Sequence, residues 1–543
     1  MSFRLLSFWL AMFASCAGGV SSGLACQSES ISEPATTQEK PAEKRSDYAS
    51  LLDEIDQFAE KAIEQWSVPG LAMAIVKDGE VLFAKGYGLR EIETDQAVDE
   101  DTLFCIASNS KAFTAAALGL LVERKQLKWD DPVTKYVPDF RMPDPNVTGE
   151  ITVRDLVCHR SGLDTFSGDL LWFGTNYTSD EVIQRIPELK PVSSFRSQYG
   201  YQNLMFVVAA KVIENVSGKK WDAFVESEFL QPIGMERTTT SITKMKDNFA
   251  LPHNESGGNG LRALKLRNLD NCWGACGLNS SVNDLAKWMN VLLADGQLGD
   301  QQLISRAQLW EMMQPYTVMP ISRSAADKTP SRHFQCYGLG FFLSDYHGRK
   351  IVHHGGGMDG MISQLAIVPE EKLGVVVLTN SETSVSKYLK DHVLDCFLGA
   401  EQRPDYSSLA WKQYQEGKQK EASAIEEENQ QRLPDTQPTL PLEQYAAVFR
   451  SKLYGDVQVE LIDDKLVMSM LPAPEFVADL KHWQYNTFEI QWRDSVMYNF
   501  PRGFVTFTID QDGKPHQLII DQPNSDFWFY ELDLFRVKED AAK

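Results

Sequence analysis

Cysteine, basic charge and long hydrophobic runs are all scarce in this sequence. Eight cysteines in 543 residues are too few to act as a disulfide scaffold. Lys and Arg total 53 against 75 Asp and Glu, so a net charge of −22 repels phosphate backbones and excludes nucleic acid as an expected partner. Hydrophobic residues at 43% indicate a globular chain, not collagen, a mostly disordered chain or a polytopic membrane protein.

The first 25 residues have the layout of a secretory signal peptide. Arg4 supplies one positive charge, residues 5–13 are almost wholly apolar, and small residues follow. The apolar run is shorter than the roughly 20 residues that span a bilayer. The stretch from Phe13 to Cys16 resembles a bacterial lipoprotein box, so Cys16 is a candidate for lipidation and membrane anchoring; cleavage after Ala25 is the alternative. Either route predicts export, to the periplasm or outer side of a membrane in a bacterium, and otherwise secretion.

Changes in composition divide the rest of the chain. Residues 26–45 carry almost no large apolar side chain and are predicted to form a disordered tether. Helical and strand-like patterns mix over residues 46–400, and residues 401–441 form a charged linker, with a charged helix inside it as one interpretation. Residues 442–543 alternate with a period of two, which predicts an all-β module. Since the linker has little apolar sequence, we expect two separate cores.

Local patterns predict the first elements of the large domain. Apolar residues recur at three- and four-residue spacing from Leu52 to Trp66, which indicates an amphipathic helix that Pro69 and Gly70 end. Residues 71–76 and 81–85 flank the turn at Asp78 and predict a β-hairpin.

A Ser-x-x-Lys pair is the first candidate for chemistry. Ser108 follows a strand-like run and precedes an apolar helix, with Lys111 one turn further along the same face. A hydroxyl becomes a useful nucleophile when a base takes its proton, and desolvation lowers the pKa of a lysine enough to serve as that base. The helix N-terminus adds positive potential for an oxyanion. Taken alone, the motif is better explained as a serine cap followed by a surface lysine, because a Ser-x-x-Lys pair occurs by chance in a chain of this length.

Two further elements supply polar groups. Tyr201 and Asn203 stand on a loop before an apolar helical run, where a phenolate is a candidate base and an amide can hold a lysine or a substrate carbonyl. His354 begins the sequence His-Gly-Gly-Gly, in which glycines at a strand edge allow close approach of a substrate. Ordinary loop packing and an ordinary glycine turn are the alternative interpretations.

In this order, the three elements resemble the serine β-lactamase and penicillin-binding protein superfamily, closest to its class C-like branch of β-lactamase-related esterases and peptidases. Segments across residues 48–400 share the likeness: 127–132, 156–163, 230–235 and 277–281. The resemblance implies an α/β (α+β) fold, with a five-stranded antiparallel sheet between helices and a helical subdomain beside the site. The C-terminal module is similar to the lipocalin-like barrel of some of these enzymes.

The resemblance also implies roles for individual residues. Ser108 would be the acylated nucleophile, Lys111 its proton acceptor, and Tyr201 the second base that activates the deacylating water. Substrate and oxyanion would be bound by Asn203, His354, Gly356 and Gly357. Neither a cofactor nor a metal is implied. His354 stands where penicillin-processing members have lysine, so β-lactams are expected to be poor substrates.

The sequence therefore predicts an exported serine hydrolase that acts on small-molecule or peptide esters and amides, D-amino-acid peptides among them. An acylatable penicillin-recognising sensor, or a non-catalytic binding module, is the alternative. Cys272 and Cys276 lie four residues apart and form either a local disulfide or, as we prefer, two ordinary thiols; a zinc site would need further ligands at set spacing.

Overall fold

The computed structural model describes residues 47–255, 260–324, 331–400, 403–494 and 500–538. The predicted signal peptide, the candidate lipidation site Cys16 and the tether lie outside the described residues, so those predictions remain predictions. Within the described ranges, no helix is both long and apolar enough to cross a membrane.

Helices and strands alternate through the first two thirds of the chain, and strands dominate the last part. The helices are α1 Ala49–Trp66, α2 Ser110–Glu123, α3 Pro145–Glu150, α4 Val153–Leu156, α5 Ser179–Arg185, α6 Asn203–Ser217, α7 Trp221–Val225, α8 Gln231–Ile233, α9 Trp273–Cys276, α10 Val282–Leu293, α11 Arg306–Met312, α12 Val385–Phe397 and α13 Tyr406–Gln431. The strands before α12 are β1 Gly70–Lys77, β2 Glu80–Gly88, β3 Phe104–Cys105, β4 His253–Glu255, β5 Leu261–Ala263, β6 Asn279–Ser280, β7 Gln297–Leu298, β8 Gln301–Gln302, β9 Thr317–Met319, β10 Gln335–Tyr337, β11 Phe342–Tyr346, β12 Arg349–Met358, β13 Met361–Val368 and β14 Leu373–Thr379.

The main sheet is antiparallel and has the strand order β2-β1-β14-β13-β12-β11-β10-β9. The predicted α/β (α+β) class is confirmed, but the expectation of five strands is wrong, because the sheet has eight strands within the described ranges. Strands β9, β10 and β11 extend it beyond β12 with three, three and five residues. Strands β9 and β10 are too short to show a period of two in the sequence.

Both faces of this sheet are buried, which β1 shows residue by residue. Leu71, Met73 and Ile75 pack into one hydrophobic cluster with α1 and α12. The alternate residues Ala72, Ala74 and Val76 belong to a second cluster that includes α2 and α10. Successive side chains of a strand point to opposite faces, so a strand between two helical layers is apolar throughout.

The predicted first elements are confirmed. Helix α1 ends at Trp66, where Ser67 adopts the left-handed conformation with a φ of 52° just before the proline. The β1–β2 hairpin turns at Asp78 and Gly79, whose φ values of 53° and 86° fit the turn type that follows the twist of a hairpin.

The C-terminal strands form a closed barrel. They are β15 Ala447–Ser451, β16 Gly455–Ile462, β17 Lys465–Met470, β18 Val477–Gln484, β19 Thr487–Trp492, β20 Phe504–Ile509, β21 Pro515–Asp521 and β22 Leu534–Arg536. The predicted linker contains the 26-residue helix α13, whose side chains are mostly exposed. Its first turn packs on α1, where the Trp66 indole donates to Ser407 Oγ at 2.9 Å.

The expectation of two separate cores is wrong. Buried side chains of the barrel and of the large domain form one continuous hydrophobic cluster. Phe173 packs edge-on against Phe476 of the barrel, with ring centroids 6.0 Å apart. Tyr177 Oη donates to the carbonyl of Tyr454 at 2.6 Å. These contacts between the two domains lie outside the linker. The composition of the linker therefore did not reveal them.

Candidate active site

Ser108 lies in a tight turn, Ala107–Asn109, directly before helix α2. Ala107 has a φ of 45°, a left-handed conformation that non-glycine residues rarely adopt and that is typical of strained functional turns. The Ser108 side chain lines a cavity of about 450 Å³ between the sheet, the α6 region and the barrel. The turn therefore presents a hydroxyl to a substrate-sized space at a helix N-terminus.

Lys111 is fully buried beneath this serine. Its Nζ lies 2.9 Å from Ser108 Oγ, 2.7 Å from Asn203 Oδ1 and 3.1 Å from the carbonyl oxygen of Ala275. Burial lowers the pKa of Lys111 to about 8. Desolvation penalises the ammonium form, so the free amine is accessible near neutral pH.

Asn203 is held in turn by a buried carboxyl group. Its Nδ2 donates to Asp169 Oδ2 at 2.6 Å, and the Trp172 indole donates to the other oxygen of Asp169 at 2.9 Å. Burial raises the pKa of Asp169 to about 8. Sequence reasoning missed Asp169, although one signal was present: a lone carboxyl beside the apolar run 170–173 needs a polar partner once buried.

Tyr201 completes the cluster around the serine. Lys111 Nζ lies 4.8 Å from the centre of its ring. Burial raises the pKa of Tyr201 well above 10, and a hydrogen bond with Ser108 offsets this only in part. The phenol is therefore protonated at rest, and the phenolate that the sequence suggested as a candidate base forms only at high pH, because burial disfavours the charged form.

His354 reaches the cavity but uses both ring nitrogens within the protein. Nδ1 lies 2.6 Å from the carbonyl oxygen of Gly355, which can only accept, so Nδ1 carries the proton. Nε2 then accepts from Tyr337 Oη at 2.9 Å. Burial, with Lys111 nearby, lowers the pKa of His354 to about 3. The imidazole is a neutral, fixed group, and Tyr337 is a second residue that sequence reasoning missed.

The glycines of β12 bring the strand against the serine turn. A Cβ on Gly356 would lie 2.2 Å from the carbonyl oxygen of Ile106 and 2.9 Å from the amide nitrogen of Ser108, so only glycine fits. Gly357, the next residue, lines the cavity. Ser363 on β13 clamps the turn, since its Oγ donates to Ile106 O and accepts from Asn109 Nδ2, both at 2.8 Å.

The structure thus brings Ser108, Lys111, Tyr201, Asn203, His354 and Gly357 together around one cavity, with Gly356 directly behind it. Cys272 and Cys276 are free thiols, and Cys276 Sγ donates to the carbonyl of Cys272 at 3.4 Å. Their helix α9 supplies the Ala275 carbonyl that holds Lys111.

An antiparallel sheet between helices, with a Ser-x-x-Lys turn beside a glycine-rich strand, defines the class of serine-lysine proteins built on the penicillin-recognising fold. The chain belongs to the β-lactamase family, which it matches over residues 55–395. Residues 431–534 match a domain of unknown function, DUF3471, which covers the barrel.

Named relatives include hydrolases. An unguisins hydrolase, ungD', from Aspergillus campestris is 29% identical over 441 residues, covering 75% of this chain and 78% of that protein. Protein flp of Staphylococcus aureus is 25% identical over 343 residues, covering 63% and 65%.

Two solved structures share the fold. An octameric penicillin-binding protein homologue from Pyrococcus abyssi aligns with a TM-score of 0.59 at 21% identity, covering 87% of this chain and 98% of that one. A D-amino acid amidase from Ochrobactrum anthropi SV3, complexed with L-phenylalanine amide, aligns with a TM-score of 0.53 at 22% identity, covering 64% and 98%.

Proposed function

We propose that this protein is a serine hydrolase that cleaves esters or amides, D-amino-acid amides and peptides among them, through an acyl-enzyme on Ser108. One observation carries the proposal: a fully buried Lys111, with its pKa lowered to about 8, lies 2.9 Å from the serine hydroxyl. The unguisins hydrolase and the D-amino acid amidase among the similar proteins support the same reaction class.

The contacts of Lys111 orient it as the proton acceptor for acylation. A neutral amine has two N–H bonds and one lone pair. Asn203 Oδ1 and Ala275 O accept hydrogen bonds from the two N–H groups, so the lone pair faces the Ser108 hydroxyl. As Ser108 Oγ attacks the substrate carbonyl, its proton passes to Lys111.

The remaining groups serve the oxyanion and the leaving group. The backbone amides of Ser108 and Gly357 stabilise the negative oxygen of the tetrahedral intermediate. Tyr201, protonated at rest, gives its proton to the leaving group and regains one from Lys111. In deacylation the same pair removes a proton from water, the attack of that water breaks the bond from the acyl carbon to Ser108 Oγ, and the pair returns the proton to Ser108 Oγ.

Ser108→Ala tests the proposal against Ser110→Ala as control. Ser110 is the first residue of helix α2, two positions after Ser108, and its hydroxyl accepts from the backbone amide of Leu278 at 3.0 Å. We expect Ser108→Ala to lose 4-nitrophenyl butyrate hydrolysis and to lose labelling of the Ser108 peptide by a fluorophosphonate, both of which Ser110→Ala keeps. Labelling of Ser108→Ala at the wild-type rate would refute the assignment.

The same assay separates an enzyme from an acylatable sensor. A hydrolase releases nitrophenol continuously, whereas a sensor releases one equivalent and stops. We expect continuous release.

We also propose export, on the layout of residues 1–25. Fractionation of cells that express the wild type and Cys16→Ser is the test. If Cys16 is lipidated, only the wild type partitions into detergent. Retention of both proteins in the cytoplasm would contradict export itself.

A further inference from the structure

The barrel contributes one side of the cavity that contains Ser108. Four of its described residues line this space, and we call them the barrel wall: Phe500, Asn524, Asp526 and Phe527. They come from the chain beyond the family match that ends at residue 395, on loops at one end of the barrel. A substrate that reaches the serine therefore lies between two domains.

The barrel wall is held in a fixed position. Asn524 Oδ1 accepts from the amides of Asp526 at 2.7 Å and Phe527 at 2.9 Å, which fixes the turn. The indole of Trp528 donates to the carbonyl of Thr165 at 2.6 Å, a hydrogen bond that connects this turn to the large domain. A rigid surface of this kind can discriminate between substrates by shape.

Aromatic rings give the barrel wall an apolar character. Phe527 stacks on Phe173 of the large domain, with ring centroids 4.1 Å apart and an interplanar angle of 30°. Phe500 lies 6.1 Å from Phe527, centroid to centroid, and Trp172 lines the same space. An apolar substrate group placed against these rings would leave water, which favours binding.

Carboxyl groups line the same region of the cavity. Asp359, Glu382 and Asp526 all face it, and no Lys or Arg is among the described residues that line the cavity; Lys111 is buried beneath Ser108. Arg267 pairs with Asp359 at 2.7 Å, and burial raises the pKa of Glu382 to about 7. Asp526 is solvent-exposed and belongs to the barrel wall. Since Asp359 is paired with Arg267 and Glu382 is partly protonated at neutral pH, Asp526 is the carboxylate that disfavours an anionic substrate group here.

We propose that the barrel is the specificity-determining part of this active site, and that it selects substrates with a bulky apolar group and without an anionic group near the scissile bond. This inference rests on the proposed hydrolase function. It assigns a role to the DUF3471 region: the barrel shapes the pocket, while the residues that react lie in the large domain.

Phe527→Ala and Asp526→Asn test the two halves of the proposal in the full chain. Their matched controls are Phe535→Ala, a ring 44% exposed on β22, and Asp512→Asn in an exposed turn. One set of 4-nitrophenyl esters varies the acyl group from acetyl to phenylacetyl. A second set of acetate esters varies the alcohol, so that bulk is probed on either side of the ester. Phenylalanine 4-nitroanilide with a free, acetylated or succinylated amine probes charge.

Phe527→Ala should lower kcat/KM for the bulky member of at least one ester set by about tenfold, with the small esters unchanged. Asp526→Asn should raise the rate on the succinylated anilide relative to the free amine by about threefold. The controls should change neither ratio. Equal effects of Phe527→Ala on small and bulky esters in both sets would overturn the proposal, as would an unchanged profile in both variants.

Fluorophosphonate labelling keeps this test separate from the proposed function. A protein whose Ser108 does not label has failed as a hydrolase, whatever its barrel does. A protein that labels normally but shows no bulk or charge selectivity has failed only the barrel proposal. If Phe527→Ala does not fold, Phe527→Leu keeps an apolar side chain and should show the same loss of selectivity to a smaller extent.

Discussion

The two sides of the cavity are built in different ways. On the side of the large domain, Ser108, Lys111 and Asn203 form a hydrogen-bonded chain that continues to the buried carboxyl of Asp169. On the other side, the barrel wall offers aromatic rings and an exposed carboxylate. The large-domain side carries the groups that take part in the reaction. The barrel side contributes the shape and charge of the surface that a substrate contacts. Chemistry and selectivity are therefore separable in this molecule by substitution.

Deletion of residues 434–543 should have the largest effect on stability, because it removes the barrel side of the cavity. It exposes Phe173 and removes the partner of the Tyr177 hydroxyl, so the large domain loses several kcal/mol, on the order of 4, from apolar burial and hydrogen bonding. We expect insoluble protein, or a Tm about 5 °C lower by calorimetry. As a control, a protease site inserted in α13 should leave the cut barrel bound, because the interface holds it. A soluble truncated protein of unchanged Tm would contradict the continuous core.

Lys111→Met removes the base and keeps the volume of the side chain. We expect kcat for 4-nitrophenyl butyrate to fall about a thousandfold, within the range for a lost general base. Lys350→Met is the control, since its Nζ donates to the carbonyl of Met313 at 2.6 Å and Lys350 does not line the cavity in the described part of the chain. Near-wild-type turnover in Lys111→Met would show that another group activates Ser108.

Penicillins should be hydrolysed at least about tenfold more slowly than simple esters at pH 7. The neutral His354, with its pKa lowered to about 3, gives the β-lactam carboxylate no cation, and a charge-assisted hydrogen bond is worth roughly 1.5–3 kcal/mol. Steady-state rates on benzylpenicillin and 4-nitrophenyl butyrate provide the measurement. Faster turnover of penicillin would contradict this account of the site.

Asn203→Asp should move the pH profile without changing the shape of the side chain. A carboxylate 2.7 Å from Lys111 Nζ favours the ammonium form, so the pKa of Lys111 rises and the free base appears at higher pH. We expect the rising limb of kcat/KM to shift upward by about one pH unit, which is about tenfold in rate at neutral pH. A limb that stays in place would mean that Lys111 does not control it.

Local patterns in the sequence predicted the parts of the structure that local forces decide. The Ser108–Lys111 spacing, helix α1 and the β1–β2 turn all depend on residues a few positions apart. The partners that hold the site come from far along the chain. Tyr337 and Ser363 carry no local signature of a role, and the signal at Asp169, a lone carboxyl beside an apolar run, does not say which residue it binds. Their positions follow from packing, which a single sequence does not display.

The barrel shows the same limit of prediction from a single sequence. Its alternation with a period of two predicted strands, and the Asp463-Asp464 turn of the β16–β17 hairpin has the expected positive φ values of 48° and 62°. Nothing in residues 524–527 indicated that they would line a cavity with Ser108. That contact depends on how two domains dock, and the apolar residues that dock them are spread over both surfaces.

The pH dependence of kcat/KM, measured with a small and a bulky ester in the wild type and in Phe527→Ala, tests the central claim most directly. Burial lowers the pKa of Lys111 to about 8, so rates should rise with pH and level off above that value, where the free amine predominates. We expect kcat/KM to rise over the same pH range in both proteins, and we expect the variant to lose only the preference for the bulky ester. If the pH range of the rise shifts in Phe527→Ala, or if that variant still prefers the bulky ester, the division of the cavity into a reacting side and a selecting side is contradicted.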